Sequence, residues 1–204
     1  MNETDPIMAN EFKAGEPAWR MALLFPPQGS WSEQEYLALD AGRQIEFDRG
    51  FVEVLELPTI EHQRIVRTLF LAMQSFVSNQ NLGEVFFAPL PVRLWNEKYR
   101  EPDLVFLKRN RSDASSDYPH GADLVAEVVS SAPNNRRRDL EIKLAEYQQA
   151  AIPEYWIVDP VNQVVLVHHL VNSIYSAQSF APGQSAKSQV LSGFSIAVEE
   201  VLSA

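Results

Sequence analysis

The stretch Leu124-Val125-Ala126-Glu127-Val128-Val129 decides how the rest of the chain is read. It is apolar except at Glu127, so it predicts a central strand covered on both faces. An ionised carboxylate inside such a strand is costly unless it is paired or bound to a metal. The residues alone also allow two plainer readings of Glu127. It can face solvent on an edge strand, or it can pair with an arginine.

Downstream, residues 135–150 read as a helix. Leu140, Lys143, Leu144 and Tyr147 fall at i, i+3, i+4 and i+7, on one helical face. Lys143 is therefore on the apolar side, facing the sheet. Snorkelling at the edge of that stripe, or an i, i+4 surface pair with Asp139, would also account for it. EYWIVD (154–159) and VVLVHHL (164–170) are further strands, joined by a tight turn at 160–163. His168 and His169 alternate on that strand, point to opposite faces and make a poor metal pair. With Trp156 and Asp159, His168 reads as structural. A hairpin-like region and a short helix over 198–202 finish the chain.

Upstream, residues 103–107, 91–95 and 84–88 are short strands. Asp103 stands directly after Pro102, at a strand start, where proline's missing donor does no harm. Pro58-Thr59 opens a long helix with Ile65, Leu69, Met73 and Phe76 at helical spacing. QIEFDRGFVEVLEL, starting at Gln44, is a pair of strands around Asp48-Arg49-Gly50. Ser32 with Glu35 makes a capping box for a helix over 33–41. Residues 108–121 form a polar loop. Residues 1–30 lack periodicity and contain four prolines, so they read as an irregular arm. Residues 31–204 then form a single domain. The order of elements predicts an α/β (α+β) fold, a mixed β-sheet flanked by helices.

The 204 residues contain no cysteine, which excludes disulfides, Cys-ligated zinc and a thiol nucleophile. No apolar run approaches the ~20 residues of a membrane helix, and the N-terminal residues are no signal peptide. A cytoplasmic protein without a membrane partner is expected. There is no phosphate loop, dinucleotide-binding turn or nucleophile elbow. The net charge of −10 argues against nucleic acid. Its distribution weakens that objection. Residues 93–111 and 136–143 hold 10 of the 17 basic residues and 5 of the 27 acidic ones. A local basic zone attracts phosphate because distant acids are screened beyond ~8–10 Å. Ordinary solvated loops would give the same composition.

Asp103, Glu127 and Lys143 can converge at one end of a sheet. A hard divalent cation takes carboxylate and carbonyl oxygens. The two acids would supply carboxylates, with a backbone carbonyl near Val128 as a further oxygen. Lysine would orient or deprotonate the attacking water, or offset charge on the phosphate.

The segments IEFDRGFVEV, TIEHQRIV, YREPDLVFL, GADLVAEVVSS, RDLEIKLAEY and IPEYWIVDP, running from about Trp31 to His168, make the sequence recognisable. In this order it resembles the Uma family of restriction endonucleases, a branch of the PD-(D/E)XK nuclease superfamily. The resemblance implies a restriction-endonuclease-like core, magnesium (or manganese), and a DNA endonuclease. Asp103 matches the PD aspartate and Glu127 the acid of the (D/E)XK half-motif. Val129 stands where that half-motif has lysine, and the resemblance moves the lysine role to Lys143. Glu46 and His62 match further family positions, Glu46 as an added carboxylate near the metal. Arg136, Arg137 and Arg138 would hold the substrate backbone, and Tyr147 would hydrogen-bond the site. A homodimer suits double-strand cutting. The rival expectation is a catalytically inactive nucleic-acid-binding or regulatory protein that keeps the fold. A weaker one is a phosphodiesterase for RNA or a small nucleotide.

Overall fold

A computed structural model describes residues 25–39, 42–109, 111 and 117–203. Residues 1–24 of the expected arm, and most of the 108–121 loop's tip, lie outside them. The chain opens with α1 (Glu33–Leu37), whose Ser32–Glu35 capping box is complete but which stops short of residue 41. The hairpin β1 (Ile45–Asp48) and β2 (Phe51–Val54) turns at Arg49 and Gly50, both at positive φ. A Cβ at Gly50 would lie 2.7 Å from the Gly29 backbone, so only glycine fits this turn.

The long helix α2 (Ile60–Gln80) is capped by Thr59 and ends at Asn81 in the left-handed conformation. Its buried stripe is Ile65, Val66, Leu69, Met73 and Val77, while Phe76 is only partly buried. Strands β3 (Gly83–Phe87), β4 (Val92–Trp95), β5 (Lys98–Arg100), β6 (Leu104–Lys108) and β7 (Leu124–Val128) follow. The expected helix over 135–150 is in three parts. It runs as α3 (Pro133–Arg137), widens into a π-helical turn over Arg138–Ile142, and resumes as α4 (Lys143–Gln149). Then come β8 (Glu154–Asp159), β9 (Val164–Val171), β10 (Ile174–Phe180), β11 (Ser185–Lys187), β12 (Ser195–Ala197) and α5 (Val198–Leu202).

A six-stranded sheet has the order β10-β9-β8-β7-β6-β3. Only β7 and β8 run parallel. Parallel neighbours need a crossover, and α3 to α4 supplies it. Period-two alternation splits the sheet's residues between two cores. Leu124, Ala126, Val128, Trp156 and Val158 pack under α2 and α5. Val125, Tyr155, Ile157 and Tyr147 form the core on the α4 side. A second sheet, β2-β1-β5-β4, carries its own cluster of Trp31, Tyr36, Ile45, Phe47 and Tyr99. The chain crosses from this sheet into the larger one through Glu101-Pro102-Asp103, between β5 and β6. Among the described residues no helix is long and apolar enough to cross a membrane.

Candidate functional site

β7 is buried at every position, Glu127 included. By alternation Glu127 points to the α4 side of the sheet. Its Oε1 accepts hydrogen bonds from Lys143 Nζ (2.7 Å) and Tyr147 OH (2.8 Å). These residues lie one turn apart on α4, so one helical face grips the carboxylate. The lysine is 1% exposed. It is neither a snorkelling nor a surface residue.

Asp103 stands where the chain leaves Pro102 to begin β6. Its Oδ2 accepts from the Val128 backbone N–H (2.8 Å), and His62 Nε2 lies 3.1 Å from the same oxygen. His62 belongs to the first turn of α2, so Thr59's cap places the imidazole over Asp103. Burial lowers the His62 pKa, but Asp103 outweighs it and raises the pKa above its ordinary value.

Glu46, on β1, enters from the smaller sheet. Its Oε1 lies 3.0 Å from Lys143 Nζ, and Arg100 Nη1 donates to Oε2. Arg100 also donates through Nε and Nη2 to Glu146, at 2.6 and 2.8 Å, and Lys98 Nζ lies 2.6 Å from Glu146 Oε1. An unbroken line of ion pairs thus runs from Lys98 to Glu127 and ties the two sheets together at α4.

The electrostatics separate these carboxylates. Burial pushes Glu46 up, yet Lys143 and Arg100 overcome it and hold Glu46 at about 2. Glu127 goes the other way, to about 8, because burial and the neighbouring Asp103, Asp139 and Glu46 outweigh Lys143. Burial also raises Glu101, to about 7, and Asp139. Burial works to strip Lys143 of its proton, but Glu127, Glu46 and Asp139 hold it well above its usual range. It is an ammonium, a donor and not a base.

A cavity of about 380 Å³ opens on this cluster. Glu101, Asp103, Glu127, Val128, Arg138, Asp139, Lys143 and His62 are in its wall. The expected Asp103, Glu127, Val128, Lys143, His62 and Arg138 therefore face one space. Four expected site residues do not. Glu46 is buried behind Lys143. Tyr147 does hydrogen-bond the site, but from its buried side through Glu127, and not as a contact to substrate. Arg136 is locked in a bidentate pair with Asp159, at 3.0 and 2.6 Å. Arg137 points outward toward Glu141. Among the described residues, most of the expected basic zone of 93–111 is ion-paired within the chain, Arg109 excepted. Arg93 pairs with Glu33, Lys98 and Arg100 are buried in the ion-pair line, and Lys108 and Arg111 pair with Asp123.

Sequence reasoning missed Asp139 as a cavity residue, along with Glu101 and Arg100. Asp139 was visible as the i, i+4 partner of Lys143, which lies 3.7 Å away. Glu101 directly precedes Pro102-Asp103, but no spacing rule marks it. Arg100 lies on a three-residue strand, Lys98-Tyr99-Arg100, that has no apolar alternation to reveal it.

The donor set suits a hard divalent cation. The carboxyl groups of Glu46, Glu101, Asp103, Glu127 and Asp139 outnumber the cations Arg100, Arg138 and Lys143 beside them, an excess that a bound cation would favour in ionised form. Asp103 and Glu127 reach the cavity and could hold the ion with Val128. Among the described residues no group of three or more Asp, Glu, His or Cys side chains is placed to hold a metal ion by itself. Magnesium is commonly held by one or two carboxylates, with waters and substrate phosphates completing its shell.

No curated protein matches the sequence. Among solved structures, one described as "a putative nuclease belonging to DUF820 from Anabaena variabilis" superposes with a TM-score of 0.69. The match covers 83% of this chain and 96% of that one, at 17% identity, and so speaks for the fold. Residues 33–199 match the Uma2 family, described as "Putative restriction endonuclease". That span contains both sheets and every cavity residue, and the chain belongs to the Uma2 family.

Proposed function

We propose that the chain is a metal-dependent endonuclease that hydrolyses phosphodiester bonds of DNA at the cavity between the two sheets. The observation that carries this reading is the meeting of Asp103, Glu127 and Lys143 at one cavity wall. A bound magnesium or manganese ion would polarise the phosphoryl group and lower the pKa of a water.

The chain's own residues supply the rest. Asp103, steadied by His62 and the Val128 N–H, and Glu127, gripped by Tyr147 and Lys143, would hold the ion. Lys143, whose ammonium is favoured by Glu127, Glu46 and Asp139, would orient the water or offset charge growing on the phosphate. Glu46 acts through Lys143, anchoring the ammonium from behind. Arg138, in the cavity wall, is held by longer pairs to Asp139 (3.3 Å) and Glu53 (3.5 Å), and would exchange them for the phosphate backbone. Two copies about a two-fold axis would bring two such cavities to a duplex.

The test is cleavage of supercoiled plasmid with magnesium or manganese by the wild type, Asp103→Ala and Lys143→Ala, with the oligomeric state measured in parallel. Metal-dependent cutting lost in both variants supports the enzyme. A second reading, a non-catalytic binding protein, draws on the buried Val129 in the half-motif's lysine position. Metal uptake without cutting of DNA or RNA would favour it.

A further inference from the structure

Beside the candidate site, and sharing Pro58 and Thr59 with its cavity, lies a groove of about 530 Å³. One wall is the outer face of α2, with Ile60, Arg64 and Arg67. The other carries Phe87, the last residue of the edge strand β3. We propose that this groove seats an unpaired stretch of DNA next to the scissile phosphate, with a base on Phe87 and phosphates on Arg64 and Arg67. The proposal rests on the nuclease reading and adds the form of the substrate.

Register places Phe87 within reach of the chemistry. Phe87 pairs with Leu104, and the next residue, Ala88, donates its N–H to the Asp103 carbonyl at 3.2 Å. Phe87 therefore flanks the backbone of Asp103, on the side of the groove. The Phe87 ring is 58% exposed, yet it is fixed by an edge-to-face contact with Phe70, centroids 5.1 Å apart. A braced aromatic at the surface is a platform on which a nucleobase stacks.

Charge supports the same occupant. Most cations of this acidic chain are paired with carboxylates, Lys98, Arg100, Arg136 and Lys143 at 2.7 Å or less. Arg64 and Arg67 are exposed on one face of α2, and among the described residues no carboxylate pairs with either. Guanidinium groups spaced along a helix, opposite an aromatic, are what a single strand's alternating phosphates and bases require. A duplex offers the phosphates alone, because its bases are stacked on one another and turned inward.

Binding is read by fluorescence anisotropy with the full chain, in calcium to hold back cutting. The probes are labelled oligodeoxythymidine and a blunt duplex of equal length. Phe87→Ala is expected to lose about tenfold affinity for the single strand and much less for the duplex, while Phe87→Trp retains it. Arg64→Ala with Arg67→Ala should weaken the single strand and flatten its salt dependence by about one unit of logarithmic slope. Equal losses on both probes, or none in Phe87→Ala, would overturn the groove. Plasmid cleavage by the same variants separates the two claims. Asp103-dependent cutting with unchanged Phe87→Ala binding sinks the groove and leaves the nuclease. Phe87-dependent binding without any cutting does the reverse. Failure of the wild type to bind either probe at low salt would sink the groove outright.

Discussion

Lys143 Nζ lies 2.7 Å from Glu127 Oε1, across 16 positions of sequence, with both side chains buried. The strand carboxylate and the helix ammonium define each other's position. Removing one partner of such a buried pair strands the other and costs roughly 3–5 kcal/mol. Lys143→Met should therefore lower stability to urea by that order, while Lys143→Met with Glu127→Gln should recover much of it. Additive losses in the double variant would mean that the pair is not energetically coupled.

Glu127 and Glu101 give a pH signature. Their folded pKa values, about 8 and about 7, lie above the ordinary 4.5. A carboxyl raised on folding favours the folded state below its ordinary pKa, and that advantage is lost as pH rises through the raised value. Metal-free protein should melt at progressively lower temperature from about pH 5 to about pH 8.5. Glu127→Gln should flatten the profile. An unchanged slope in that variant would exclude Glu127 as its source.

The same residues predict how metal acts on stability. An ion that binds only the folded chain raises the melting temperature by mass action. Its carboxylate ligands must be ionised, so magnesium should stabilise more at pH 8.5 than at pH 5.5. Asp103→Asn should lose the effect. A metal-induced shift that survives Asp103→Asn would place the ion elsewhere.

Arg136 and Arg138 are close in sequence and differ in task. Arg138→Ala should slow plasmid cleavage, on the order of tenfold, and lower melting less than Arg136→Ala, because its pairs to Asp139 and Glu53 are the longer ones, at 3.3 and 3.5 Å. Arg136→Ala should unpin Asp159, which also accepts from the Val161 and Asn162 backbones, and so lower melting more than cleavage. Reversal of that pattern would mean that the cavity wall is misassigned.

Glu154 is a purely architectural carboxylate. It is fully buried and accepts from Trp156 Nε1, the Ser188 hydroxyl and the backbone N–H groups of Gln189 and Val190. Glu154→Ala strands four donors and should cost on the order of 3 kcal/mol or more. Loss of less than about 1 kcal/mol in chemical denaturation would contradict this role.

Sequence pattern carried the elements that depend on periodicity. The 124–129 strand, the α2 stripe, the capping box at Ser32 and the turn at Arg49-Gly50 all emerged from it, as did α5 at Val198–Leu202. The convergence of Asp103, Glu127 and Lys143 was legible because Glu127 and Lys143 each broke an apolar pattern and Asp103 followed Pro102 at a strand start. Charge partners were not legible. Composition marks Lys98, Arg100 and Arg136 as a basic surface, whereas Glu146, Glu46 and Asp159 claim them, and such pairings are set by tertiary contacts alone. Glu46 matched a family position, but only the second sheet's docking reveals that it stands behind Lys143 and not in the cavity wall.

The widened turn at Arg138–Ile142 fixes the phase of everything after it. Its Lys143 N–H reaches back five residues to the Arg138 carbonyl, one more than the ordinary helical step. That single surplus residue sets the azimuth at which the ammonium and the Tyr147 phenol emerge toward the sheet. Trimming one residue from the bulge would swing both by about 100°, the angular step of a regular helix. Length here is as strict a requirement as side-chain identity, and chains that vary between β7 and β8 should do so without changing this spacing.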